Sequence, residues 1–206
     1  MSEFQIQARP FAESFLSAVR EESRDGPGVS RQGYGPHEQH VHDLVAQTGC
    51  ELGMEIKVDA AGNLWMTRPG RNRSLPAFVS GSHGDSVPQG GNFDGLAGVC
   101  AALTVAVMLE RMHVELERDY TVLVTRMEES SWFGRAYVGS LALTGRLEPR
   151  ELELRHRTDG RTLAETVASC GFDPKVMASG RPLADLSRIG AFVELHIEQG
   201  PRLDAS

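Results

Sequence analysis

The spacing of apolar residues changes period several times along the chain. Phe11, Phe15, Leu16 and Val19 recur at helical spacing, and a second helix is predicted after Gly35-Pro36, with Val41, Leu44 and Val45 on its apolar face. Met54, Ile56 and Val58 then alternate with Glu55, Lys57 and Asp59, the period of a half-buried strand. Ala60 to Asn63 reads as a turn and Leu64 to Thr67 as the returning strand. After a polar loop from Arg68 to Pro76, the apolar run Ala77 to Ser80 predicts a buried strand. A helix of small residues follows from about Leu96 to Arg111, and Tyr120 to Thr125 forms another strand that runs out at Met127-Glu128-Glu129. Asp159 can cap a helix through Ser169, with Gly171 as its stop. Ala191 to Ile197 alternates again: Val193, Leu195 and Ile197 lie on one face, Phe192, Glu194 and His196 on the other. This interleaving of helix and strand signals predicts an α/β layer architecture.

Composition narrows the function classes. The 206 residues, 40% hydrophobic and 24% charged, are ordinary for a globular domain. The net charge of −7 comes without any block of five or six like charges, so nothing points to a nucleic-acid tract or a polybasic membrane patch. The longest apolar stretch, Leu96 to Leu109, is too short to span a bilayer, and the N-terminal MSEFQIQARPF lacks the pattern of a signal peptide. Cys50, Cys100 and Cys170 are an odd, widely spaced set, which fits three reduced, buried thiols in a cytoplasmic protein better than disulfides or a thiolate zinc site.

Four places carry candidate chemistry. His83 and Asp85 lie two apart, so in an extended segment both side chains point the same way, and a metal-binding His usually donates its other ring N–H to a carboxylate. Taken alone, the tripeptide also fits a surface histidine beside an exposed acid. Asp94 sits among Gly90, Gly91 and Gly95 just before a predicted helix, where an ionised carboxylate is favoured and could bridge two cations; it could equally be a plain helix cap. Glu128 and Glu129 end an apolar strand and could divide ligation from proton transfer, or could be two solvated loop acids. His196 stands between Glu194 and Glu198, a cluster that is costly to bury without a metal but unremarked on an exposed strand face. Two histidines with several carboxylates suit zinc, and all four places fall at or near predicted strand ends, where α/β folds build their sites.

These segments together resemble a known family. GSHGDSVPQGGNFDG (Gly81 to Gly95) is similar to the dinuclear-zinc peptidase and amidohydrolase superfamily. RDGPGVSRQGYG (Arg24 to Gly35), VDAAGNLWMTRPG (Val58 to Gly70), EESSWFGRAYVGSLALTG (Glu128 to Gly145) and VELHIEQGP (Val193 to Pro201) resemble one branch of it. That branch holds N-carbamoyl-L-amino acid hydrolases, allantoate and ureidoglycolate amidohydrolases, and β-ureidopropionase of the bacterial and yeast type.

The resemblance implies a mixed sheet flanked by helices, as in zinc-peptidase catalytic domains. It implies two divalent ions per intact subunit, zinc foremost with Mn2+, Co2+ or Ni2+ as alternatives. His83, Asp94 and His196 match the ligands of one; Asp94 bridges to the second, which Glu129 also binds. Glu128 matches the general base, Asp85 the carboxylate behind His83, and Gln199 a position near the substrate. The implied reaction is hydrolysis of a linear carbamoyl or ureido C–N bond by a water activated between the metals, in a cytoplasmic homodimer with a small-molecule substrate and neither nucleic acid nor membrane as partner. An aminopeptidase or deacylase of the superfamily is the alternative enzyme, though those branches commonly use a carboxylate where His196 stands.

Departures from the family pattern are Gly84 for a large apolar residue, Ser86 for Thr, and Ser130 for Gly. Residues 1–206 would be the N-terminal part of the catalytic domain. The lid or dimerisation domain and the returning part, which carries the second metal's histidine and the substrate-binding Arg and Asn residues, lie outside them. The further expectation is that the chain by itself is an inactive metal-binding fragment with exposed apolar edges.

Overall fold

Helical spacing becomes helix where it is predicted. In the computed structural model, which describes residues 3–203 and 205, α1 runs Glu3–Glu22 and buries Phe15 and Val19. Met1 and Ser2, the start of the N-terminal stretch read above, lie outside the described residues. A short hairpin of β1 (Arg24–Asp25) and β2 (Gly28–Val29) leads to α2 (Pro36–Glu51), which begins with Pro in its first turn, where the missing N–H costs nothing. Then come β3 (Glu55–Val58), β4 (Leu64–Arg68), β5 (Ala77–His83), α3 (Leu96–Arg111) and β6 (Tyr120–Thr125). Three short helices follow, α4 (Val138–Leu143), α5 (Leu163–Ser169) and α6 (Pro174–Met177), and the last strand is β7 (Ile189–Val193).

The five longer strands form one mixed sheet in the order β3-β4-β6-β5-β7. β3, β4 and β6 pair antiparallel; β5 lies parallel to both β6 and β7, with α3 as the crossover from β5 to β6. Period-two alternation sorts the sheet's side chains. Leu64 and Met66 of β4 and Tyr120, Val122 and Val124 of β6 face the core under α1, α2 and α3. Leu123 and Val79 face a smaller cluster with Leu143 on the other side. A separate cluster joins Tyr34, Met127, Trp132, Phe133 and Leu163 around the segment that follows β6.

Of the three thiols expected to be buried only Cys100 is, while Cys50 near the end of α2 and Cys170 just after α5 are exposed. Three elements also differ from their predicted form. β3 is exposed along its whole length because it is an edge strand, with Ile56 and Val58 open to solvent and only the flanking Met54 and Asp59 buried. α5 is capped by Thr162, not Asp159: Thr162 accepts from the Glu165 N–H in a reciprocal capping box, whereas Asp159 turns back to bind Arg161. The last strand ends at Val193, and residues 194–198 leave the ladder. Phe192 and Val193 of that strand and Leu195 beyond it are about half exposed (46–51%), while Ile189 at its start packs against the Leu143 cluster.

Candidate metal centre

The carboxyl ends of the parallel strands bring the chemistry together. His83 is the last residue of β5, Glu128 and Glu129 follow β6, His196 follows β7, and Asp94 lies just before α3. One donor atom each from His83, Asp94 and His196 lies within 4.8 Å of the others. Asp94 Oδ1 is 3.8 Å from His83 Nε2 and 3.4 Å from His196 Nε2, and the two rings lie 5.7 Å apart.

Backbone conformation at two glycines permits this. Gly95 has φ +64°, and a Cβ there would lie 2.5 Å from the His83 ring and from the His83 carbonyl oxygen. At Gly98, on the first turn of α3, a Cβ would meet Leu195 O at 2.4 Å and Ser82 Cβ at 2.6 Å. The helix thus packs directly on the end of β5 and on the segment that carries His196.

Asp85 is completely buried and serves both halves of the centre. His83 Nδ1 lies 3.1 Å from Asp85 Oδ1, which directs Nε2 toward Asp94. The same carboxylate accepts the backbone N–H of Glu128 on Oδ1 at 2.9 Å and that of Glu129 on Oδ2 at 3.0 Å. Glu128 Oε2 reaches within 3.9 Å of His83 Nε2. Glu129 is not among the converging donors of the described residues. Gln199 meets the centre through Asp94, donating its side-chain N–H to Oδ2.

The electrostatics are those of a crowded acidic site. Burial works against a charged His83, yet the Asp85 hydrogen bond and the surrounding carboxylates raise it to about 9. Burial, with Asp94, Asp85 and Glu128 close by, lifts Glu129 to about 7, and burial likewise raises Glu128. His83 Nε2 and Asp94 Oδ1 are both buried without a hydrogen-bond partner. An unpaired buried donor or acceptor is costly, and these two point at each other across a gap that a cation would satisfy. Two imidazoles and a carboxylate are a donor set for zinc or a similar divalent ion, so the residues fit the group.

Several residues that support the centre carry no signal in the sequence. Glu38 and Arg126 form a buried ion pair at 2.9 Å. Glu38 Oε1 also accepts the Met127 N–H at 2.8 Å and Oε2 the Tyr34 N–H at 2.7 Å. That grip holds Met127 at φ +45°, immediately before the two glutamates. Asn63 accepts the Arg126 N–H and donates to Gly139 O, tying the β4 turn to the same loop. A Cβ on Gly84 would already meet Val41 Cγ1 at 3.3 Å and His42 Cδ2 at 3.6 Å, so α2 fills the space that the large residue expected from the resemblance would need. Ser86, where the resemblance leads one to expect Thr, also offers a hydroxyl and accepts the Arg31 N–H on it.

No family model matches the chain. It is 37% identical to an N-carbamoyl-L-amino-acid amidohydrolase of Paenarthrobacter aurescens over 94% of this chain and 47% of that protein. It is 30% identical to an allantoate amidohydrolase of Escherichia coli over 87% of this chain and 43% of that protein. Among solved structures it superposes on a hydantoinase/carbamoylase-family amidase from Burkholderia vietnamiensis with a TM-score of 0.83 and 32% identity, over 96% of this chain and 46% of the other. The chain spans about half the length of the curated relatives it matches.

Proposed function

We propose that this chain, a homologue of the hydantoinase/carbamoylase amidohydrolases, is the N-terminal part of a metal-dependent hydrolase that cleaves the linear C–N bond of a carbamoyl or ureido substrate. The observation that carries the reading is the convergence of His83, Asp94 and His196 at the carboxyl ends of the sheet, in a chain homologous to amidohydrolases along most of its length. N-carbamoyl-L-amino acids, allantoate and ureidoglycolate are the candidate substrates, because the relatives are named for them. His83, Asp94 and His196 would hold one divalent ion. Asp94 and Glu129 would contribute to a second divalent ion, and the two imidazoles suit zinc at the first. Bound there, the ions supply Lewis-acid charge that acidifies water and polarises the substrate carbonyl.

The chain's own residues do the rest. Glu128, whose Oε2 faces the metal-binding edge of His83, takes the proton from the attacking water and returns it to the leaving nitrogen. Asp85 fixes the His83 ring and, through the backbone N–H groups of Glu128 and Glu129, sets where both carboxylates start. Met127 is held in its unusual conformation by Glu38, so Glu128 leaves the sheet in one direction. A homodimer, a cytoplasmic location, and a lid and a returning part of the catalytic domain outside residues 1–206 belong to the same proposal. The half-length match supports the last of these. Among the described residues, no helix is long and apolar enough to cross a membrane.

A second reading is favoured by the donor count. Asp94 and Glu129, two carboxylates without an imidazole, are a poor set for tight zinc binding. Residues 1–206 alone are therefore expected to bind one ion and to turn over no substrate. The test is bound metal per chain together with ammonia release from allantoate and several N-carbamoyl-L-amino acids. It is run on the 206-residue chain and on the product of the full reading frame. In an active form, Glu128→Gln should keep its metal and lose about 10²-fold or more in rate. An active, metal-replete Glu128→Gln would refute the base assignment, and an active form indifferent to chelators would refute the metal-dependent reaction.

A further inference from the structure

Arg31 carries a buried charge that the proposed chemistry leaves unused. Its exposure is 0%, yet it forms no ion pair among the described residues. Its guanidinium donates instead to main-chain oxygens on both sides of the metal centre. Nε donates to Gly84 O at 2.9 Å, while Nη2 donates to Asn92 O and Asp94 O, each at 3.4 Å. Nη1 donates to Asn92 Oδ1 at 3.4 Å. Gly84 lies between His83 and Asp85, and Asp94 is itself a candidate ligand, so one planar side chain clasps the two segments that present His83 and Asp94. Arg31 is anchored in turn by Ser86, whose Oγ accepts its N–H at 2.9 Å and whose N–H donates to its carbonyl at 2.8 Å.

Asp85, Asp94, Glu129 and Glu38 lie near enough to favour the buried charge without pairing with it, while the hydrogen bonds of the guanidinium all go to the Gly84 and Asn92–Asp94 segments. A lysine could supply the positive charge but not a rigid fork that reaches both carbonyls at once. We infer that Arg31 is a positioning residue, a buried fork that fixes the spacing between the His83 and Asp94 metal donors by holding the Gly84 and Asp94 carbonyls together. The inference rests on the metal reading of the site given above.

The test is Co2+ and Zn2+ binding to the chain by chelator competition, with the visible spectrum of bound Co2+ reporting coordination geometry. The variants are Arg31→Lys, Arg31→Met and His83→Ala, each checked for folding by circular dichroism. Both Arg31 variants are expected to bind about 10–100-fold more weakly, the usual effect of removing a group that orients ligands, and to change the Co2+ spectrum. If charge alone mattered, Arg31→Lys would keep wild-type affinity and spectrum, which would overturn the positioning role. Should neither Arg31 variant fold, Ser86→Ala decides. Losing the hydroxyl that anchors Arg31 should weaken binding and shift the spectrum while Ser86→Thr leaves both intact, and two unaltered Ser86 variants would overturn the inference. Metal uptake that His83→Ala leaves unchanged would bring down the metal reading itself, and this inference with it. Uptake that depends on His83 but is indifferent to Arg31 would overturn the inference alone.

Discussion

Substituting Gly95 by alanine would test the geometry on which the site depends. Asp94 O accepts the Leu96 N–H at 2.6 Å around Gly95, which has φ +64° and ψ −49°; this is a tight three-residue turn with positive φ. For a residue with a side chain that conformation is rare and strained, at about 1–3 kcal/mol. The new methyl would also stand 2.5 Å from the His83 ring and carbonyl oxygen, and overpacking of this kind costs about 1–3 kcal/mol more. The sum, about 2–6 kcal/mol, is a large part of an ordinary domain's 5–15 kcal/mol or so of stability. The clash falls on the imidazole and on the residue next to Asp94, so metal affinity should fall together with stability. Urea unfolding of metal-free protein, read by circular dichroism, gives the first quantity, and Zn2+ competition with a chromophoric chelator gives the second. A Gly95→Ala protein destabilised by less than about 1 kcal/mol, with undiminished Zn2+ affinity, would refute both the turn and the packing of His83 against it.

Two further outcomes are expected. Glu38→Gln leaves the buried Arg126 without a counter-charge and turns an amide toward donors, so unfolding free energy should drop by about 3–5 kcal/mol in urea titration; a drop below about 1 kcal/mol would mean the pair is not buried as described. Burial, with the Arg126 charge adding to it, holds His42 well below its ordinary value, so the unfolded chain takes up a proton there that the folded chain does not. The His42 contribution is therefore complete above pH about 6.5 and is lost as pH falls below it, at up to about 1.4 kcal/mol per pH unit. Because His42 Nε2 has no hydrogen-bond partner, His42→Leu should fold and should lose stability more gently between pH 6.5 and 5 or so. Identical slopes for the two proteins would rule this titration out.

What the sequence made legible was chemistry attached to local pattern. Strand β6 and helix α3 are apolar runs with sharp boundaries and fall where periodicity places them, whereas the apolar run of β5 stops at Ser80 and the strand continues through Gly81 and Ser82 to His83. His83, Asp94 and His196 were candidates by residue type and by their places at or near predicted strand ends, each with an ordinary alternative, and the family resemblance joined them into one ligand set. Periodicity failed where exposure depends on neighbours in the sheet. The alternation in 55–58 predicts a half-buried strand, but strand order puts β3 at an edge, and no local pattern encodes strand order. The cap of α5 was lost to a nearby competitor: Asp159 and Thr162 are both good caps, and only Thr162 has a glutamate three residues on to return the bond.

The supports of the site were illegible for a deeper reason. Arg31 reaches Asp94 across 63 residues, and Glu38 reaches Met127 across 89. In the sequence each is a charged residue in a polar stretch, and most such residues are solvated. Only the folded chain turns them inward, where a guanidinium holds three carbonyls and a carboxylate holds two N–H groups. Ligands can be guessed from residue type because the ion selects the type. The groups that aim them are selected by backbone geometry, and an arginine, a glutamate, an asparagine or a serine can each meet that demand. Transferring the candidate ligands alone onto another α/β sheet should therefore give a loose site, since His83, Asp94 and Glu128 are each held by a residue from a distant part of the chain or by a backbone contact that the ligand types do not specify.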